Sequence, residues 1–177
     1  MKRLVLVLIL FGLLVIEGIA IDLLPLRLLE TEILIVPHWL FMFLIVVAIF
    51  FDKSHTFYAV AYSIVFGILI DIVYADILGV YMFVYAVSVY IAQMLKRLFI
   101  TNFLVSCIIA MVTISLVEIQ IYIVYSFVGT IDLSFMFFMT HRLLPTVVAN
   151  LLFFLLVYFI FSKRLVRWSD EELQRVS

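Results

Sequence analysis

Apolar residues fall into six runs, Leu4–Ile21, Ile33–Phe51, Thr56–Tyr74, Ile77–Leu95, Phe103–Val128 and Leu143–Phe161, separated by short polar or charged breaks. A bilayer crossing takes about 20 residues, and backbone amides in lipid must be paired within their own segment, so each run predicts a transmembrane helix. The runs do not alternate in the ~10-residue segments a barrel requires. Pro37 lies near the start of the second run and Pro145 near the start of the sixth, where a missing amide is tolerated because it would be unpaired anyway. The expected fold is therefore all-α: a polytopic integral membrane protein with six transmembrane helices. Residues 1–177 form a single membrane domain, and 162–177 a short cytoplasmic tail.

Composition supports this. Of 177 residues, 68% are apolar and 13% charged, against about 45–50% and about 25% in soluble domains. Six spans leave no room for a separate soluble domain of ~100 residues. A formal net charge of −1 argues against nucleic acid as a partner, which calls for a strongly basic face. The lone Cys107 excludes an intrachain disulfide framework and any cysteine-based metal cluster.

Basic residues predict orientation. With the N-terminus in the cytoplasm, Lys2, Arg3, Lys53, Lys96, Arg97, Lys163, Arg164, Arg167 and Arg175 lie inside, leaving Arg27 and Arg142 outside. That asymmetry over short loops predicts both termini in the cytoplasm. The first run also resembles a cleavable signal peptide, with Lys2-Arg3 ahead of an apolar core and Gly18-x-Ala20 behind it. Its length, Glu17 and the apolar sequence that follows favour a retained span. The outer loop from Asp22 to Glu32 is acidic yet leucine-rich, as expected of a segment along the membrane surface, against a partner or on the protein's own helices. After Phe161, Lys163, Arg164, Arg167 and Trp168 suit the anionic cytoplasmic interface, and Ser169-Asp170-Glu171-Glu172 reads as a capping box opening a short helix.

Ionisable groups inside spans are costly and call for partners. Glu17, Asp71 and Glu118 lie in runs one, three and five, which all travel outward. Counted from their inner ends they stand at one depth, roughly 20–22 Å in at 1.5 Å per residue. Arg142 and His141 meet this level from outside, and Asn150 lies on the Arg142 helix. An intramembrane polar layer of Glu17, Asp71, Glu118, Arg142 and Asn150 is expected, with an Asp71–Arg142 contact fixing the third helix against the sixth. Ala59, Ser63 and Gly67 recur every four residues ahead of Asp71, a small-residue stripe for close helix packing, within the chain or against a partner. On the fifth run Met111, Ser115, Glu118, Tyr122 and Tyr125 share a face.

Catalytic patterns are missing. His38, His55 and His141 fall at helix ends or in loops, and none forms an H-E-x-x-H pair. There is no G-x-S-x-G, no phosphate-binding glycine loop and no Gly-x-Gly-Asp with a second buried aspartate. No enzyme activity, cofactor or metal is expected.

The order of features resembles the MreD family. The residues that carry it are Pro37-His38-Trp39, then Phe66-Gly67-Ile68-Leu69-Ile70-Asp71, then Leu78-Gly79-Val80-Tyr81-Met82-Phe83, and finally Arg142-x-x-Pro145-x-x-x-x-Asn150. The resemblance covers essentially the whole chain. It implies a non-enzymatic scaffold of the bacterial rod-shape (elongation) machinery in the plasma membrane. That scaffold partners MreC and connects MreB to RodA and a class B penicillin-binding protein in cell-wall peptidoglycan synthesis. It further implies a fold similar to the substrate-capture subunits of energy-coupling-factor transporters. This keeps a second function open, a membrane-embedded small-molecule capture subunit. The family pattern bears on Pro37, Gly67, Asp71, Gly79, Arg142, Pro145 and Asn150, with Gly79 grouped with the packing face and the two prolines read as helix-opening. Glu17 and Glu118 rest on depth alone.

Overall fold

A helix apolar on every side is stable only where apolar surroundings enclose it. Leu40 to Ile49 is such a stretch, and all ten residues are buried. They belong to α2 (Trp39–Phe50), the central element of the computed structural model, which describes residues 2–23, 33–53, 55–75 and 77–173. Around it stand α1 (Lys2–Leu23), α3 (Tyr58–Val73), α4 (Val80–Leu98), α5 (Phe103–Val128) and a last rod. That rod consists of α6 (Phe135–Phe137), a π-helical turn (Phe138–Leu143) and α7 (Leu144–Leu173). α1 docks through Leu6, Leu10 and Leu14, a stripe with period four.

Three expectations change. The second run is not one helix, because residues 33–38 are extended and α2 begins at Trp39. Pro37 disfavours the helical region for Val36, so the helix starts after the proline. At 12 residues α2 reaches only about 18 Å, and the extended segment adds roughly 20 Å more. The sixth helix does not open at Leu143 with Pro145 in its first turn, since helical structure starts at Phe135 and the proline sits inside the rod. No separate helix opens at Ser169 either. α7 runs on to Leu173, and the Ser169 hydroxyl donates to Phe51 O at 2.7 Å instead of capping. Most of the acidic outer loop, residues 24–32, lies outside the described residues.

Among the described residues, three stretches are long and apolar enough to cross a bilayer: Lys2–Ala20, Phe103–Val128 and Phe135–Glu171. α2 and α3 are apolar but shorter. The perimeter is apolar throughout, with Leu8 and Phe11 on α1, Val65 and Ile72 on α3, Phe83 on α4, Ile123 on α5 and Leu152 and Phe159 on α7 all exposed. Such continuous apolar surface is found on a membrane protein, not on a water-soluble one.

The small-residue stripe is spent inside the chain. Ala59 and Ser63 are fully buried, and a Cβ on Gly67 would lie 2.6 Å from Met82 Cα, so this glycine lets α3 and α4 approach backbone to backbone. Gly79 does something different. It precedes α4 with φ +93° and open space where a Cβ would be, so its value is the left-handed backbone, not close packing.

Opposite ends of the bundle differ in charge. Lys2 pairs with Glu171 at 2.9 Å and Lys53 with Asp170 at 2.8 Å. Lys96 Nζ donates to Asp52 O at 2.6 Å. The Asp52 carboxylate accepts from the Tyr58 and Ala59 amides, which open α3, and from Gln93 Nε2. With Arg97 at the close of α4 and Lys163, Arg164 and Arg167 on α7, these paired groups form a basic end. Burial pushes the Asp52 carboxyl above its ordinary pKa and the Lys96 ammonium below its own.

Candidate functional site

Extended backbone packed among apolar helices must find partners for its amides and carbonyls. Residues 33–38 find them on the last rod. Pro145 has no N–H, which frees the carbonyl of His141 four residues earlier. That carbonyl accepts Leu34 N at 2.8 Å. One turn on, Thr146 Oγ1 accepts Val36 N at 3.1 Å. A further turn along the same face, Asn150 holds the segment from both sides, its Nδ2 donating to Val36 O at 2.8 Å and its Oδ1 accepting His38 N at 2.7 Å. The proline, the π-helical turn and two polar side chains thus give the rod an edge that a strand-like segment can pair with.

The segment delivers His38, whose side chain leaves the α2 N-terminus uncapped. Glu17 from α1 supplies the cap, its Oε2 accepting Leu40 N at 2.8 Å, where the helix end favours a carboxylate. The imidazole points into the core. Nδ1 lies 2.8 Å from the Tyr85 hydroxyl and Nε2 2.7 Å from Glu118 Oε1. The second Glu118 oxygen accepts Arg142 Nε at 2.9 Å. Tyr85, His38 and Glu118 are fully buried. An imidazole with its proton on Nε2 accepts from Tyr85 at Nδ1 and donates to the Glu118 carboxylate; this tautomer is assigned from the network. The row Tyr85–His38–Glu118–Arg142 joins α4, the start of α2, α5 and the π-helical turn.

Of the five residues expected in one polar layer, Glu17, Glu118, Arg142 and Asn150 converge on the opening of α2. Asp71 does not. Its carboxylate accepts the Gly79, Tyr81 and Met82 amides at 2.9–3.1 Å, capping α4. The expected Asp71–Arg142 contact is replaced by Glu118–Arg142. His141 turns away as well, stacking on Phe137 and bonding Thr140. On α5 the shared face splits, with Met111 exposed and Glu118 buried. Tyr85 and Thr146 carried no signal in the sequence, and His38 was read only as a helix-end residue within Pro37-His38-Trp39; a histidine beside a proline inside an otherwise apolar run was the signal for its role.

Beside this network lies a cavity of about 300 Å³ lined by Glu17, residues 34–38, Ile70, Tyr74, Tyr81 and Arg142. Among the described residues no group of three or more His, Cys, Asp or Glu could hold a metal ion.

Fold and site together define a helical membrane protein whose interior polar groups are directed at its own helix ends and extended backbone. The chain belongs to the MreD family: it matches the family described as rod shape-determining protein MreD over residues 2–167. It is also 30% identical to the rod shape-determining protein MreD of Bacillus subtilis (strain 168) over 135 residues, 76% of this chain and 77% of that protein. No solved structure matches.

Proposed function

We propose that the protein is a non-enzymatic scaffold of the bacterial cell-elongation complex, linking MreC and the peptidoglycan synthases RodA and a class B penicillin-binding protein to MreB. Membership of a rod shape-determining family carries this reading. The geometry supports it in one respect. The Glu118 carboxylate, the Asn150 amide and the Asp71 carboxylate are occupied by contacts within the fold, which suits a rigid platform better than a reaction centre. The apolar perimeter is left for other helices, and association there would depend on close packing and hydrogen bonds, since lipid is as apolar as the helices.

In this reading residues 1–177 form one domain of six spans, with a fold like the capture subunits of energy-coupling-factor transporters. α2 and its extended leader together make the second span. The basic end of Lys2, Lys53, Lys96 and the α7 terminus faces the cytoplasm, as the positive-inside rule requires. Arg142 and the polar network then lie toward the outer leaflet. The family is named for shape determination and not for solute capture, which favours the scaffold over the transporter subunit.

Two measurements test the scaffold. Affinity purification from native membranes should recover MreC-like and penicillin-binding proteins, and depletion should turn rods into spheres. Rods that keep their shape on depletion, with neither partner recovered, would overturn it.

A further inference from the structure

Arg142 is held but not used up. Its Nε is committed to Glu118, while its terminal amino groups have no acceptor among the described residues. Yet the side chain is only 15% exposed. A guanidinium carries five donors, and those not given to Glu118 remain available to a ligand in the cavity that Arg142 lines. The Tyr81 hydroxyl lines the same cavity and likewise has no partner among the described residues. Guanidinium and phenol on one wall are a donor set for an anion. The row from Tyr85 through His38 and Glu118 fixes the guanidinium in place, so little ordering remains for a ligand to impose.

The remaining lining argues for an amphiphile over a free ion. Leu34, Ile35, Val36, Pro37 and Ile70 make apolar walls. Ile35 is 38% and Tyr74 43% exposed, next to the outward-facing Ile72 and Val73. The cavity therefore opens onto surface that faces lipid. Glu17 also contributes to the lining, with its carboxylate turned onto Leu40 N. An acidic side chain on the wall weighs against a multiply charged anion, and a singly charged phosphodiester is the better match.

We propose that this cavity binds a membrane phospholipid, its phosphodiester on Arg142 and Tyr81 and its first chain carbons along Ile35 and Ile70. The proposal rests on the chain spanning a membrane but not on its protein partners, so its failure leaves the scaffold reading standing.

The test is native mass spectrometry and thermal unfolding of the full-length, delipidated protein. The additions are dioleoylphosphatidylglycerol, dioleoylglycerol (the same chains without phosphate) or sodium phosphate. Phosphatidylglycerol should give a retained adduct and raise the Tm by a few degrees, as native-state ligands do, with the other two at about one tenth the occupancy or less. Ile35→Trp fills the cavity without touching the Arg142–Glu118 pair and should abolish the adduct. Tyr81→Phe should weaken it roughly tenfold to a hundredfold, the loss of one hydrogen bond to a charged group, and remains informative if the tryptophan variant does not fold. Equal binding of dioleoylglycerol, an equal shift with phosphate alone, or an undiminished adduct in both variants would each overturn the proposal. So would a photoreactive residue at position 35 that crosslinks to a polypeptide instead of lipid in native membranes.

Discussion

His38 is the residue on which four separate parts of the chain agree. Its backbone is held by Asn150, its ring by Tyr85 and Glu118, and the helix it precedes is capped by Glu17. Removing one partner of a buried pair costs more than the pair is worth, because the survivor stays buried and alone. Glu118→Gln and Arg142→Gln should therefore each lower stability, and the double variant should lose less than their sum, with a coupling of about 1–3 kcal/mol. Asp71→Asn combined with Arg142→Gln should instead be additive within about 0.5 kcal/mol. Denaturant unfolding in detergent measures both cycles, and strong coupling to Asp71 would contradict the geometry described above. Counting residues from helix ends brought Glu17, Asp71 and Glu118 to one level but could not pair them. Depth along an axis carries no information about which way a side chain points around it. Asp71 shares the level and serves another helix.

The elements with unbroken apolar periodicity, α1 and α5, were legible from their runs. The second and sixth runs were not, for one reason in two places: proline. Pro37 keeps its predecessor extended and Pro145 shifts its helix into π register, and the two irregular stretches satisfy one another. A pattern of apolar residues does not reveal backbone that is irregular only in pairs. The Gly67 contact lies at this scale too. Gly67→Ala forces a Cβ against the Met82 backbone, and overpacking of that kind costs about 1–3 kcal/mol; the Tm should fall accordingly, whereas Gly12→Ala on the open face of α1, with nothing within 4 Å, should leave it unchanged or higher. At the basic end, the Asp52 carboxyl titrates above its ordinary value of 3.8 because burial disfavours its charge. The folded protein thus holds this proton more tightly than the unfolded chain. Its contribution is full below pH 3.8 and is lost as pH rises through the elevated pKa. Unfolding followed across that interval should show wild type losing stability relative to Asp52→Asn with rising pH. A flat difference would mean that Asp52 titrates normally.

At the scale of the whole molecule, charge asymmetry, composition and family motifs pointed the same way before any geometry was known, since each is an average over many residues and tolerates local error. The pairing of first and last elements is another matter. The contacts that secure the backbone of residues 34–38 come from His141, Thr146 and Asn150, far along the chain on the last rod. Until the final rod has been made, the backbone of residues 34–38 has none of these partners. A ribosome that stops short of Thr146 leaves a nascent protein with several helices inserted and a raw strand among them, and it is there that a membrane quality-control protease would find its first purchase.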